Sequence, residues 1–420
     1  MIPKLRSVMI RGFRSIHSVE INIQPLIVLV GSNGAGKSNI VEAIELLADT
    51  YRVGLDTSLS EIGGIDSVLH RGIEDSTDRL RLSATVDIPR EQKALRVEHG
   101  FELESLHDRI GRFRISDEFL KISVVAAGTE IDHPDGSIIE SAWFSKGGDG
   151  FVSSFAAPSK EPATSADIAP LTNLFNSIGS FKIDDSQLFF PGFAPLSPVL
   201  KTFFDAVAAS RVFDIGPGDA RSDADRSHNP ELSRFGEDLP IVLEWLKEDH
   251  PEAFSQVVSG LRETMPTLDE VMIVEGHGDV RAIEFVMEHG PSPLRANEVS
   301  DGSIRYLGLL AALHDPRLSF IMLEEPENSL HPWMISRLAE QIVEASAHKQ
   351  IIVTTHSPFL MNKLPVDAIS VAYISKGETK LSPLKLLQPA LYELWTSGEI
   401  SVFDSVESGA IPEMIPSLPE

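Results

Sequence analysis

The chain has 420 residues, 42% of them hydrophobic, and carries 62 acidic against 36 basic side chains for a formal net charge of −26. That length suits about two or three domains, and the absence of cysteine excludes disulfides, thiolate zinc sites and thiol chemistry. The acidic field disfavours indiscriminate adhesion to nucleic acid or anionic membrane, although a local basic groove is compatible with it.

No apolar run reaches the roughly 18 residues of a membrane span, and MIPKLRSVMIRGF lacks the apolar segment and cleavage site of a signal peptide. A cytoplasmic protein with no membrane partner is expected. Thirteen histidines are scattered through the chain without HExxH-type spacing.

In chain order, LRSVMIRGF, VEINI and PLIVLVG read as short strands, the last continuously apolar and therefore buried on both faces. IVEAIELLADTY, from Ile40, has helical spacing. RLRLSATVDI, LRVEHGFELES, GRFRISD and FLKISVVAA predict an antiparallel sheet. Residues from about 156 to 235, including LTNLFNSIG and PVLKTFFDAVAAS, read as a helical insertion edged by loops, broken at DIGPGDARSDADRSHNP. LPIVLEWLKEDHPEAFSQVVSGLRETMP resumes helix and VMIVEGHGDVRAIEFV reads as a hairpin. Helix and strand then alternate over 304–314, 319–325, 333–347 and 350–355. No heptad pattern persists, so no long coiled coil is expected. The expected organisation is an N-terminal lobe over 1–155, a mostly helical insertion over 156–265, a C-terminal lobe over 266–395 and a tail over 396–420.

Three segments carry chemistry. GSNGAGKS, Gly31–Ser38, matches GxxxxGK[ST] and has the strand before it and the helix after it that such a loop requires. Glycines let backbone amides turn inward around phosphates; Asn33, Gly34, Ala35, Gly36 and the following Asn39 complete the expected nucleotide-binding set. Lys37 would reach the terminal phosphates and Ser38 would place a hydroxyl on Mg²⁺. FIMLEEPENSLHP, from Phe320, ends a buried strand in two carboxylates: Glu324 would assist Mg²⁺ and its waters, and Glu325 would orient the attacking water. IIVTTHSP ends another strand at His356, placed to meet a γ-phosphate or that water. Ligands collect at the carboxyl ends of such strands.

Other signals carry two readings. Val299–Ser303, VSDGS, is either an ordinary capped helix start or an anion-binding helix N-terminus. Val274–Asp279, VEGHGD, resembles the first acidic motif of a topoisomerase-primase nuclease domain, but no later Asp-x-Asp strand follows, so a hairpin turn is expected. RLAEQIVEASAHK has a basic end at His348 and Lys349 that a helix C-terminus favours without DNA. Arg11 and Arg14 in IRGFRSI either face solvent or contact the nucleotide, with Arg14 the better placed.

Taken in order, IRGFRSI, GSNGAGKSN, VSDGS with Arg305, EEPENSLHP and TTHSP resemble an ATP-binding-cassette ATPase of the SMC and recombination-repair branch, and within it the compact bacterial AAA_21-type ATPases. The resemblance implies an α/β cassette head with mixed and parallel sheets, an antiparallel β subdomain and a helical insertion. It also implies a head-to-tail homodimer formed on ATP binding. In that pattern Lys37 and Ser38 are Walker A residues, Glu324 the Walker B acid, Glu325 the catalytic glutamate, Ser300 and Gly302 the signature, Asn328–His331 the D-loop and His356 the switch histidine. The signature's anion would be the γ-phosphate held by the opposite subunit. Two departures stand out: Glu324 replaces the usual aspartate, and no glutamine lies near IGGIDSVLHRG, leaving Ser67 as the one candidate for the Q-loop position.

Mg-dependent ATP hydrolysis serving DNA-related or antiviral-defence processes is the function expected. The alternative is a regulatory, nucleotide-gated module controlling a separate effector protein, a nuclease or toxin, with little turnover of its own. Intact Glu325 argues for turnover, and the charge balance predicts weak binding of free duplex by the isolated chain.

Overall fold

The structure, a computed structural model, describes residues 3–71, 78–90, 93–106, 111–126, 138–147, 150–156, 186–225, 229–276, 278–290 and 292–414. The expected helix at LTNLFNSIG lies outside them. Among the described residues seventeen strands run in chain order: β1 (Lys4–Phe13), β2 (Ile16–Asn22), β3 (Leu26–Val30), β4 (Arg79–Pro89), β5 (Lys93–Ser105), β6 (Phe113–Ala126), β7 (Ile138–Gly147), β8 (Gly150–Ala156), β9 (Arg211–Phe213), β10 (Ala224–Asp225), β11 (Leu268–Glu275), β12 (Val280–Met287), β13 (Leu294–Arg295), β14 (Phe320–Glu324), β15 (Gln350–Thr354), β16 (Ile369–Ser375) and β17 (Glu378–Pro383). They fall into two compact units. The first comprises residues 1–23, 39–210 and 374–381; the second comprises 24–38, 211–373 and 382–420.

The first unit holds a seven-stranded antiparallel sheet, β2-β1-β4-β5-β6-β7-β8. Alternation along β4 and β5 puts Leu80, Leu82, Val97, Phe101 and Leu103 inside, as a sheet with one solvated face requires. The expected strands at residues 79–126 are therefore present and in register. Within this core sits a buried polar chain. The Tyr51 hydroxyl lies 2.5 Å from His99 Nδ1, and His99 Nε2 lies 3.1 Å from Glu118 Oε1. The Glu118 carboxyl group also accepts the backbone amides of Phe189 at 2.9 Å and Phe190 at 3.0 Å. Phe190 stacks on the His99 ring with centroids 4.3 Å apart. Burial, with the Glu118 charge second, pushes the Tyr51 hydroxyl well above its ordinary pKa.

The second unit is built on a parallel sheet, β16-β3-β15-β14-β9. β3 and β14 are buried at every position, which explains why they read as unbroken apolar runs. Helix Asp301–His314, buried from Gly302 to Leu313, packs in the same core with helices Leu239–Asp249, Pro251–Thr264 and Pro332–Ser346. Being buried on all sides from Gly302 to Leu313, it is a core helix rather than a surface one. β11 and β12 form the expected antiparallel hairpin at VEGHGD, with Glu275 opposite Arg281. No helix among the described residues is long and apolar enough to cross a membrane.

Lys349, expected near the helix end without any role toward DNA, turns inward. Its ammonium donates to the carbonyls of Asp315 and, at 2.9 Å, Leu318. Burial lowers its pKa from 10.5 to about 8, against the pull of Asp315.

Two outcomes follow. Glu118→Ala strips acceptors from two backbone amides and His99, so urea unfolding should show a loss of about 3 kcal/mol or more, at about 1–3 kcal/mol per orphaned buried donor. For Lys349 the folded pKa lies below the unfolded one, so the unfolded chain binds more protons between about pH 8 and 10.5 and stability from this group rises with pH there. The difference in stability between wild type and Lys349→Met, followed by denaturant titration across that window, should shift in wild type's favour as pH increases.

Candidate functional site

The parallel register of the second unit decides what meets what. Thr354 lies opposite Glu324 on one side and Leu29 on the other. The carboxyl ends of β3, β14 and β15 therefore emerge side by side, carrying the Gly31–Ser38 loop, the Glu324–Glu327 turn and the Thr354–His356 turn respectively. Gly31 has φ 151°, and an added Cβ would sit 2.2 Å from the Ala372 carbonyl oxygen, so nothing but glycine fits where the loop leaves β3. Gly34 and Gly36 take left-handed φ of 80° and 96°, open to glycine at no steric cost.

Lys37 begins the helix Lys37–Arg52, and its ammonium folds back onto the loop, donating to Gly31 O at 2.8 Å and Ser32 O at 3.2 Å. Burial lowers its pKa, while Glu325 and Glu327 pull the other way. Asn33, Gly34 and Ser38 are exposed; Ala35 and Gly36 are buried.

Glu325 is held in an unusual conformation. Its φ is 41°, a left-handed value that costs a non-glycine residue of order 1 kcal/mol or more and persists only where neighbours impose it. Here they do. Its amide donates to Thr354 O at 3.0 Å and Thr354 Oγ1 at 3.2 Å, while Asn328 Nδ2 donates to its Oε2 at 3.0 Å. His356 Nδ1 lies 3.2 Å from Oε1. Partial burial raises the Glu325 pKa, but the Asn328 amide, His356 and Lys37 together outweigh it and the net direction is down. Glu327 is buried, accepts the Thr355 hydroxyl at 2.5 Å and is pushed up by that burial. Glu324 forms an ion pair with Arg234.

Arg305 ties this turn to the core. Its buried guanidinium donates to the Ile215 carbonyl, to Asp214 Oδ1 at 3.2 Å and to Glu325 O at 3.0 Å, joining the exit of β9 to the exit of β14. Four turns of the same helix begin at the SDGS segment. Ser300 is its N-cap, accepting the Ser303 amide at 3.2 Å. Arg221 pins the preceding backbone, donating to Ala296 O at 3.0 Å and Val299 O at 2.7 Å and pairing with Asp301 at 2.6 Å. A Cβ on Gly302 would stand 2.8 Å from Ser329 O, so the SDGS turn and the Asn328–His331 segment touch backbone to backbone. Ser329 is itself left-handed, at φ 64°.

In the first unit, Arg14 has φ 45°, forms an ion pair with Glu42 and places Nη1 3.5 Å from Asn39 Oδ1. Asn39 Nδ2 donates to Ser15 Oγ at 2.7 Å. Arg14 thus faces the helix that follows the glycine-rich loop. Arg11 is exposed. The Ser67 hydroxyl donates to Ile62 O and Gly64 O, both at 2.7 Å, and so is consumed by its own turn. Sequence reasoning missed Arg221, Arg234, Thr354 and Glu327. Only Glu327 carried a signal, as the third acid of EEPEN.

A GxxxxGK[ST] loop, paired strand-end carboxylates and a parallel sheet in this order accord with a P-loop ATPase domain with the fold of an SMC head. An SMC head bound to the C-winged helix domain of ScpA is similar in fold, with a TM-score of 0.51 over 92% of this chain and 99% of that one at 15% identity. The chain belongs to the AAA_21 family, described as "AAA domain, putative AbiEii toxin, Type IV TA system", whose model matches residues 26–362. The Old nuclease of Escherichia phage P2 is 25% identical over 397 residues, 90% of this chain and 60% of the relative. The DNA replication and repair protein RecF of Renibacterium salmoninarum is 31% identical over 93 residues, 21% of this chain and 23% of the relative. That of Acidothermus cellulolyticus is 34% identical over 106 residues, 24% and 28% respectively. The chain thus spans about three-fifths of the phage relative's length and less than a third of either RecF.

Gly302→Ala should force apart the backbones of the SDGS turn and the 328–331 segment. Overpacking of that kind costs about 1–3 kcal/mol, and faster amide exchange confined to residues 300–303 and 328–331 would report it.

Proposed function

We propose that the chain is an ATP-operated switch that controls a nuclease- or toxin-type effector, with slow hydrolysis of ATP resetting it. The observation that carries this reading is the convergence of Lys37, Glu325 and His356 at adjacent strand ends, with Glu325 held in a strained conformation by Thr354, Asn328 and His356. A carboxylate held this firmly is preorganised to align one water. The kind of effector is suggested by the family description and by the phage relative's name.

On this reading the amides of Asn33–Ser38, with Asn39 beyond them, receive the phosphates. Lys37 exchanges its two loop carbonyls for the terminal phosphates, a trade that restores full charge compensation to a buried ammonium. Ser38 and Glu324 are the groups suited to hold Mg²⁺, which would neutralise the phosphate charge; for Glu324 this requires sharing with, or release from, Arg234. Glu325 orients the water, its lowered pKa keeping it ionised and able to accept a proton. His356, beside Glu325, faces the same space. Ser300 and Gly302 head a 14-residue helix whose free amides and dipole suit an anion. That anion would be the γ-phosphate of a second copy, giving a head-to-tail dimer with two composite sites. Arg14, against Glu42 and Asn39, would steady the helix after the loop. The acidic chain would itself grip nucleic acid weakly, which leaves target recognition to the effector.

Labelled-ATP titration should show binding lost in Lys37→Ala, and equal affinity in wild type and variant would overturn the assignment. Glu325→Gln should keep ATP binding, slow steady-state turnover by about 100-fold or more and accumulate an ATP-dependent dimer measurable by light scattering. Adding Ser300→Arg should abolish that dimer while sparing ATP binding. A dimer that survives the second change would exclude the composite site.

A further inference from the structure

The first unit contains a side-chain cluster that the nucleotide chemistry does not use. His17 at the start of β2, His70 just after the Ile65–Val68 turn, and Glu378 at the start of β17 bring one ligand atom each to within 4.8 Å of one another. Two of those atoms lack what buried polar atoms need. Neither His17 Nδ1 nor His70 Nε2 is open to solvent or has a hydrogen-bond partner, an arrangement that is normally costly. His70 is 2% exposed. His17 Nδ1 stands 3.9 Å from Glu378 Oε1, beyond hydrogen-bond reach.

The surroundings orient the rings as a metal site would. His70 Nδ1 lies 2.6 Å from the Arg14 carbonyl oxygen. Donating there fixes the tautomer and turns the Nε2 lone pair into the cluster, the usual outer-shell arrangement for a metal-bound imidazole. The His17 and His70 rings meet edge to face with centroids 5.7 Å apart, so they are not stacked against each other. Lys380 donates to Glu378 Oε2 at 2.7 Å and leaves Oε1 toward the histidines.

We propose that His17, His70 and Glu378 bind one Zn²⁺ ion. Two imidazoles and a carboxylate match the ligand preference of zinc, and three protein ligands leave a fourth position for water on the side where His17 is partly exposed. Ligand atoms of a tetrahedral zinc site with bonds near 2.1 Å lie about 3.4 Å apart, so closing the cluster asks each side chain to move by about 1 Å or less. The ion would link three segments that are far apart in sequence. Through His70 it would also steady the Arg14 carbonyl, whose residue already holds a left-handed conformation and pairs with Glu42. The role is a structural staple.

The test uses the full chain, freed of any affinity tag and stripped with a chelator. Calorimetric titration with Zn²⁺ should saturate at a single equivalent, and Co²⁺ in its place should give the intense visible absorption of a tetrahedral site with nitrogen ligands. Zn²⁺ should raise the melting temperature and excess chelator should reverse the rise. His17→Ala and Glu378→Gln, both at partly exposed positions that tolerate change, should each weaken binding by more than about 100-fold, beyond the 10–100-fold cost of an altered outer-shell partner. His70→Ala should do the same, with circular dichroism reporting whether the fold persists. Absence of saturable binding in the wild type, or affinity unchanged in both His17→Ala and Glu378→Gln, would overturn the proposal.

Discussion

The pairing of β3 with β15 is the constraint on which the candidate site depends. Leu29 opposite Thr354, and Thr354 opposite Glu324, set three loop exits abreast. A shift of one residue in either register would invert which side chains face the core, and with every residue of β3 and β14 buried the penalty would be large. Core burial thus does the positioning, and the polar residues need only finish it. Arg305 does so from within the core, holding the carbonyls on either side of Glu325 while its own helix carries the SDGS turn. One buried guanidinium therefore connects the strand end that carries Glu325 to the helix that carries the SDGS turn.

Much of this was legible in the sequence because it is local. The apolar runs of β3, β14 and β15, the GxxxxGK[ST] spacing and the acids and histidine at strand ends are each contained in fewer than fifteen residues. They needed only periodicity and loop chemistry to be read. The hairpin at VEGHGD and the antiparallel strands between 79 and 126 were legible for the same reason.

What escaped was long-range. Arg234 reaches Glu324 across 90 positions, and Arg305 reaches Ile215 across the same separation. Arginine anchors of this kind leave no mark on hydrophobic periodicity. Lys349 read as a cation favoured by its helix end, yet it turns to carbonyls 31 and 34 residues back. The three residues of the proposed zinc site come from positions 17, 70 and 378, so no spacing rule sees them, and the scattered histidines of the sequence conceal this pair. The left-handed backbone at Glu325 was equally invisible, since a glutamate followed by proline gives no hint of a positive φ.

The interleaving of the two units has a consequence for how the protein is made. β3 belongs to a unit whose other parts all lie beyond residue 211, and its neighbours β15 and β16 begin at Gln350 and Ile369. At a synthesis rate of roughly 5–20 residues per second, the nascent LIVLV strand waits about 15 to 65 s before its flanking strands leave the ribosome. Throughout that interval it offers an unpaired apolar backbone, the feature that invites non-native association. Ribosome-bound chaperones should accordingly matter most for this protein between the emergence of its glycine-rich Gly31–Ser38 loop and that of its last parallel strand. Slowing translation should lower its yield of native chain rather than raise it.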